Sequence, residues 1–305
     1  MNRYLSVDIG GSAIKYGLIQ SDGATGKIET EGKVPLPDSL EGLSETIKNL
    51  VEESLDKDIR GVAVSMPGWI DSVKGTAVHG GSLKYVVNCS IQKVLQEKIS
   101  IPLTVENDGK CAALGELWLG ELSGVLEGIV IVLGTGIGGG IISNGKLSRG
   151  AHLCAGEFSH IRTSNEGDLA SNSFAAQNGV GVLLKNYQKA SGDSSLDGMM
   201  FFDRVEGGEP LANEVFRDYC RKLAFQILNL QNIMDPEKFV IGGGISSRQV
   251  VTDTIAESVK DLRAEILGKV NVYFPEPVVV KAKLGNHANL YGALKRFFEL
   301  KEIHS

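Results

Sequence analysis

Cysteine is sparse in this 305-residue chain: Cys89, Cys111, Cys154 and Cys220 are all there is, and no two form a C-x-x-C pair. That speaks against a disulfide-stapled secreted scaffold and for a reducing compartment. No basic run or arm stands out. Lysine and arginine total 31 against 37 aspartate and glutamate, for a net charge of −6, so no nucleic-acid partner is expected. No apolar run approaches the roughly 18 residues that a membrane helix needs, and no charged leader with an apolar segment precedes the first strand pattern. A cytoplasmic protein without a membrane partner is expected. The sequence G-x-x-x-x-G-K-[ST] is also missing, which excludes a P-loop.

Glycine, by contrast, is plentiful at 38 residues, and its placement carries most of the information. The length and the 42% hydrophobic content suggest two compact domains. Tyr4–Asp8 and Tyr16–Gln20 read as strands joined by GGSAIK. Leu40, Leu43, Ile47, Leu50, Val51 and Leu55 fall at helical spacing. GVAVSM (61–66) is a buried-strand run ending at Pro67-Gly68. Residues 90–98 look helical, and Leu103–Glu106 is a short strand leading into NDGKCAALGE. Further on, 211–234 is a long helical pattern stopped by Asp235-Pro236. Phe239–Ile241 is a strand running into GGGIS, followed by a helix to about Leu267. VVVKAKL reads as a strand and 289–300 as a closing helix, while 164–195 is the most loop-like region. Strands alternating with helices argue α/β architecture. The segment 127–147 (EGIVIVLGTGIGGGIISNGKL) repeats the layout of YLSVDIGGSAIKYGLIQSDG, which points to two related halves.

Three glycine turns bear on chemistry. In DIGGSAIK, a strand-end carboxylate (Asp8) precedes Gly10, Gly11 and Ser12, with Lys15 three residues on. Such a turn admits a phosphate chain to backbone N–H groups, with Asp8 able to hold Mg²⁺ through water; a plain tight hairpin is the other reading. In LGTGIGGG, Gly134, Thr135 and Gly136 make a second phosphate cradle plausible. The glycines there pass into Ile141-Ile142, which continues as strand, whereas a dinucleotide fold needs a helix at that point. GGGIS, with Gly242, Gly243 and Gly244, suits either close approach of an adenine or ribose or ordinary strand–helix packing. At Asn107-Asp108, between a strand and a helix start, Asp108 can accept a proton from a substrate hydroxyl attacking a γ-phosphate. An N-cap is the bland reading of the same pair, and the two readings are compatible.

In this order DIGGSAIK, PGWID, ENDGKCAALGE, GTGIGGGIISNGKL, GAHLCAGEFSH and IGGGIS resemble the motifs of the ROK family of sugar kinases, from Asp8 to at least Gly292. The resemblance implies an α/β, two-domain actin/Hsp70/hexokinase-type ATPase fold with a ligand cleft between the domains. It divides the chain into a smaller domain, 1–108 plus 289–305, and a larger one, 109–288. It also implies ATP-dependent transfer of phosphate to a sugar hydroxyl, with Mg²⁺ carried by ATP. Asp108 matches the catalytic base, and Asn107 its sugar-binding neighbour. Pro67 and Gly68 match a loop at the sugar, and Glu157 and His160 the G-E-x-G-H sugar motif, here GEFSH. Asp8, Gly10, Gly11, Ser12 and Lys15 fall in the first phosphate motif; Gly134, Thr135 and Gly136 match the second, and Gly242–Gly244 the adenosine motif. The family expectation for assembly is a homodimer.

One departure is informative. His152, Cys154, Glu157 and His160 crowd together, and spacing alone raises the question of a metal. Typical members carry C-x-C-G-x-x-G-C-x-E after G-E-x-G-H, and its three cysteines plus the histidine bind structural zinc. Here the stretch is IRTSNEGDLASNSF, with no cysteine, so no structural zinc is expected and His152 and Cys154 are assigned to a supporting turn. The carboxylate that normally closes the segment near the sugar's anomeric carbon is also missing, since neither Glu166 nor Asp168 is in register. A site less constricted there admits a C1 substituent, which resembles the zinc-lacking branch with β-glucoside kinases. The expected reaction is phosphorylation of the 6-hydroxyl of a hexose or β-glucoside. The alternatives are a glucokinase, a fructokinase or an N-acylhexosamine kinase of the same family. A sugar-responsive transcriptional regulator is disfavoured, because Asp8 already lies in the first phosphate motif and leaves no room for a helix-turn-helix domain.

Overall fold

The computed structural model describes residues 1–168, 170–270, 273 and 275–303. Leu169, in the segment expected to be loop-like, lies outside the described residues. The chain folds as two compact units. The first comprises Met1–Gly124, Lys146–Gly156 and Asn286–Ser305, the second Val125–Gly145 and Glu157–Gly285.

The first unit opens with β1 (Asn2–Ile9), β2 (Ala13–Ser21) and β3 (Gly26–Pro35), then α1 (Leu40–Glu52) and β4 (Ile59–Met66). Three short strands follow, β5 (Trp69–Asp71), β6 (Thr76–His79) and β7 (Val87–Cys89), forming a small antiparallel sheet. After them come α2 (Ile91–Gln96), β8 (Leu103–Asn107) and α3 (Asp108–Leu119). The main sheet has the order β3-β2-β1-β4-β8, with β1, β4 and β8 parallel and the β1–β2–β3 meander antiparallel.

The two-residue period of these strands sorts their side chains cleanly. Leu5, Val7, Val62, Val64, Leu103 and Val105 face α1, whose Leu43, Ile47 and Leu50 are buried against them. Ser39 caps that helix, accepting from the Gly42 N–H at 3.2 Å. Tyr4 and Ala63 point the other way, into a cluster with Cys111 of α3 and with Leu290, Ala293, Leu294 and Phe297. Each large aliphatic or phenylalanine side chain among them contributes about 1.5–3 kcal/mol on full burial.

The second unit begins with β9 (Gly128–Leu133) and β10 (Ile137–Ser143); β11 (Lys146–Ser148) returns to the first unit. Helices α4 (Phe174–Asn178), α5 (Val180–Ser191), α6 (Gly198–Glu206) and α7 (Pro210–Met234) then precede β12 (Lys238–Gly242), α8 (Gln249–Leu267) and β13 (Val279–Lys281). This unit's own strands are ordered β10-β9-β12-β13, antiparallel at the hairpin and parallel beyond it. That is the layout of β2-β1-β4-β8 again, so the repeated sequence pattern corresponds to a repeated hairpin-plus-parallel-strands module. The last element, α9 (Ala288–Ile303), belongs to the first unit. Among the described residues no helix is long and apolar enough to cross a membrane.

Several sequence expectations are corrected. The periodicity to Leu55 overshoots: α1 stops at Glu52, and Leu55 sits half exposed in a 3₁₀ turn. The supposedly loop-like 164–195 contains α4 and α5. Gly179 and Gly181 disguise the start of α5, and its apolar face is completed by contacts far along the chain, where Tyr187 stacks edge-on with Phe201 at 5.1 Å. GGGIS opens a 3₁₀ turn, and α8 itself starts only at Gln249. Residues 109–124, 146–156 and 286–288, expected with the larger domain, group instead with the first unit.

For 109–119 the reason is the approach of α3 and α9. A Cβ on Gly292 would overlap the Cys111 carbonyl oxygen, and one on Gly115 would overlap the carbonyl of Ala288. Each helix thus carries one glycine against the other's backbone, which binds 108–119 to the C-terminal helix. Gly292→Ala should therefore cost about 1–3 kcal/mol by overpacking and lower Tm by several degrees. Gly198→Ala, where an added Cβ meets only Leu184 at 3.8 Å, should leave thermal melting nearly unchanged.

Candidate active site

Across the first unit's sheet, registry places Lys15, Asp8, Ser65 and Glu106 side by side: Asp8 pairs with Lys15 and Ser65, and Ser65 with Glu106. Opposed residues share a face, so these four form one polar row on the α3/α9 side. Behind it lies a row of smaller groups, Ser6, Ala63 and Thr104, over which a helix can pack closely. Helix α9 packs there on β1, β4 and β8. Its residues Asn289, Gly292 and Arg296 recur at i, i+3 and i+7, hence on one stripe.

Asp8 is buried, and its Oδ1 accepts from Ser65 Oγ at 2.8 Å and from Asn289 Nδ2 at 2.9 Å. Burial pushes its carboxyl above the usual range, while those two hydrogen bonds and the charge of Lys15 act in the opposite sense. Gly10 closes the turn with its N–H on the Ala13 carbonyl at 2.9 Å, and Gly11 and Ser12 are exposed at the tip. A hairpin and an open, amide-rich turn are therefore both present in DIGGSAIK.

At the end of β8, Asn107 is held from three sides. Its Nδ2 donates to the Gly68 carbonyl at 2.8 Å and to Asp108 Oδ1 at 3.1 Å, and its Oδ1 accepts from the Lys110 N–H at 3.0 Å. Asn107 is thus the N-cap of α3, and Asp108 the helix's first residue. Asp108 is half-buried, and its Oδ1 also accepts from the Gly109 N–H at 2.8 Å, which fixes the plane of the carboxylate. Gly68 has φ +107°, and a Cβ there would overlap the His79 carbonyl, so the Pro67-Gly68 turn requires glycine.

Glu106 is 1% exposed. Its Oε2 is gripped by Arg149 Nη2 and lies 3.4 Å from Arg296 Nε, while Oε1 accepts from the Asn107 N–H at 2.8 Å. Burial, and next the charge of Arg149, hold the Arg296 guanidinium below its ordinary pKa.

The remaining expected residues lie in the second unit. Ser159 ties two motifs together there: its Oγ accepts from the Ile137 N–H at 3.0 Å and donates to the Ile137 carbonyl at 3.1 Å. This fixes the 3₁₀ turn Phe158–His160, with half-buried Glu157 before it, to the strand that leaves Gly134–Gly136. His160 is exposed, as is Thr135. The Gly134 carbonyl accepts from the Val180 N–H at 2.9 Å, and a Cβ on Gly179 would overlap the Thr135 carbonyl, so α5 starts on this turn. Gly243 has φ +95° and lies against the Leu133 backbone, while a Cβ on Gly244 would meet nothing within 4 Å. The left-handed φ and the contact with the end of β9 account for Gly243, and open space remains at Gly244.

His152 and Cys154 sit in the first unit, and His160 in the second. Cys154 Sγ donates to the His152 carbonyl at 3.3 Å. Among the described residues no group of three or more His, Cys, Asp or Glu is placed to hold a metal. The stretch after His160 is closed by protein groups: the Thr163 N–H and Oγ1 both donate to the Asn172 carbonyl, at 2.8 and 2.9 Å.

Sequence reasoning did not find Ser65, Asn289, Glu106, Arg149, Arg296, Ser159 or Gly179. Ser65 left a signal as the one polar residue in GVAVSM, and Arg296 as a lone arginine on the inner stripe of the closing helix.

The ROK family model matches residues 4–298. The chain belongs to the ROK family. A β-glucoside kinase of Listeria innocua is 27% identical to this ROK chain over 301 residues, covering 97% of it and 98% of the relative. A ROK protein of Streptococcus pneumoniae, solved with sucrose, superposes with a TM-score of 0.86 at 28% identity, covering 99% of each chain. A ROK glucokinase of Streptomyces griseus, solved with glucose and AMPPNP, gives a TM-score of 0.82 at 26% identity, covering 96% of this chain and 98% of that one. The fold is accordingly the actin/hexokinase ATPase type expected from the motifs.

The raised pKa of Asp8 sets a direction for stability in this ROK chain. A carboxyl whose folded pKa is raised favours the fold most below its unfolded value of about 3.9 and loses that contribution as pH rises through the folded value. Ionised Asp8 is thus a stability cost at neutral pH. Asp8→Asn should melt at a higher temperature than wild type at pH 7, with the gap narrowing as the pH falls toward about 4 in scanning calorimetry. An equal gap across that range would refute the assignment.

Proposed function

We propose that this chain, a carbohydrate kinase of the ROK family, transfers the γ-phosphate of ATP to the 6-hydroxyl of a hexose or β-glucoside, with Asp108 as general base. The observation that carries the reading is the Gly68–Asn107–Asp108 turn. A rigid N-cap presents a half-buried carboxylate of fixed plane beside an amide whose donors and acceptor are already aligned. Phosphoryl transfer passes through a loose transition state, so the base's main tasks are to orient the alcohol and accept its proton late. Pro67, Gly68, Asn107, Glu157 and His160 are assigned to the sugar hydroxyls. Backbone amides of Gly10, Gly11 and Ser12, with Lys15, and of Gly134–Gly136 are assigned to the phosphates, and Gly242–Gly244 to the adenosine.

Magnesium is part of this proposal. Asp8 fits such an ion: its burial disfavours a bare carboxylate, and both of its side-chain hydrogen bonds land on Oδ1. It would hold the ion through water, and the ion would neutralise charge on the phosphates.

The β-glucoside half of the reading is supported by the cysteine-free stretch after His160, which closes on its own hydrogen bonds, and by the similarity to a β-glucoside kinase along nearly the whole chain. A cytoplasmic location and a homodimer belong to the same proposal.

Two measurements test it. Asp108→Asn should keep sugar binding by calorimetry and lose roughly 10²–10⁴-fold in kcat; near-normal turnover would place the base elsewhere. In a coupled ADP-release assay across a sugar panel, cellobiose or gentiobiose should be phosphorylated with kcat/KM at least equal to that of glucose. Turnover of glucose with none of either disaccharide would eliminate the β-glucoside assignment.

A further inference from the structure

A carboxylate buried as deeply as Glu106 is costly unless it is paired, and a pair of this kind seldom adds net stability over apolar side chains of similar volume. Its partners are nevertheless held with care. Arg296 donates from Nε and Nη2 to Ser72 Oγ at 3.2 and 3.1 Å and from Nη1 to Glu299 at 3.2 Å, so its fork is locked on a helix. Arg149 binds Glu106 through Nη2, although its own Nε is buried with no hydrogen-bond partner. Two cations and two carboxylates thus balance in one group with Glu106 and Arg296 buried at its centre, at the expense of an unsatisfied donor. That is a poor design for stability alone.

The geometry of the group points to the reaction. Glu106 Oε1 holds the N–H of Asn107, the peptide just before Asp108. On the other side, the Arg149 carbonyl accepts from the Ala155 N–H at 3.1 Å, closing the turn whose next residues are Gly156 and Glu157. One arginine therefore binds the strand end that carries the base and also closes the segment that leads into the sugar motif.

We propose that Glu106, clamped by Arg149 and Arg296, is a positioning residue that sets the Asn107–Asp108 turn for the sugar hydroxyl. The inference rests on reading Asp108 as the base. A misplacement of the turn by a fraction of an ångström weakens both sugar binding and proton acceptance, and leaves nucleotide binding alone.

The test compares full-length Glu106→Gln, Arg149→Met, Arg149→Lys and Asp108→Asn by steady-state kinetics, with each rate divided by the fraction of active sites. Glu106→Gln and Arg149→Met should raise the sugar KM and lower kcat, so that kcat/KM for the sugar falls roughly 10–10²-fold while the KM for ATP stays within about twofold. Arg149→Lys, which restores the cation without the fork, should recover part of the loss. Unchanged kcat and sugar KM with a lower Tm would make the group purely structural and overturn the inference, as would equal increases in both KM values. If Glu106→Gln does not fold, the Arg149 pair decides by the same criteria. Near-normal turnover by Asp108→Asn overturns the base reading and this inference with it; an inactive Asp108→Asn beside wild-type kinetics in Glu106→Gln overturns this inference alone.

Discussion

Helices α3 and α9 lie so close that Gly115 and Gly292 have no room for a Cβ, and the candidate site depends on that contact. It seats α9 against the β1-β4-β8 face, where Asn289 reaches Asp8 and Arg296 reaches Glu106. Without it, two buried carboxylates at the strand ends would have lost principal partners. The small row Ser6, Ala63 and Thr104 beneath the helix serves the same end, since bulkier strand residues would lift α9 off the sheet. Close packing and site electrostatics are here one constraint, satisfied by small side chains.

The parts of the site legible in the sequence were those encoded within a few residues. DIGGSAIK shows its glycines and strand-end carboxylate locally, and Asn107-Asp108 announces a helix start by capping chemistry alone. The structural member of each paired reading is what the geometry displays: the first turn is a hairpin with an open tip, and Asn107 is a cap that also grips Gly68. What stayed hidden was set by registry and tertiary packing. Nothing in LTVEN says that its glutamate meets arginines 43 and 190 residues downstream (149 − 106 and 296 − 106). Serine in GVAVSM reads as a minor polar interruption until its alignment with Asp8 is known. Likewise α5 escaped detection because two glycines break its pattern and its apolar face is completed by Phe201 from another helix.

The two units share one sheet module. Each places a glycine turn after its first strand and continues with parallel strands. In the first unit the parallel strands end in charged and polar side chains, which suits proton chemistry. In the second, β12, the counterpart of β4, ends instead in Gly242–Gly244, which present backbone. The two sheets share a layout and differ in their strand-end residues.

The first unit is assembled from three separate stretches, and its closing helix follows every other element in the chain. During synthesis the strands of this unit emerge first, yet Asp8 waits for Asn289, 281 residues later, and Glu106 waits for Arg296. The second unit lies wholly between them in sequence and can collapse on its own core while the first is incomplete. The half of the molecule that starts the chain is thus the half whose last element is synthesised last. Loss of the final helix would cost the candidate catalytic face its buried counter-groups while leaving the interior of the other unit intact.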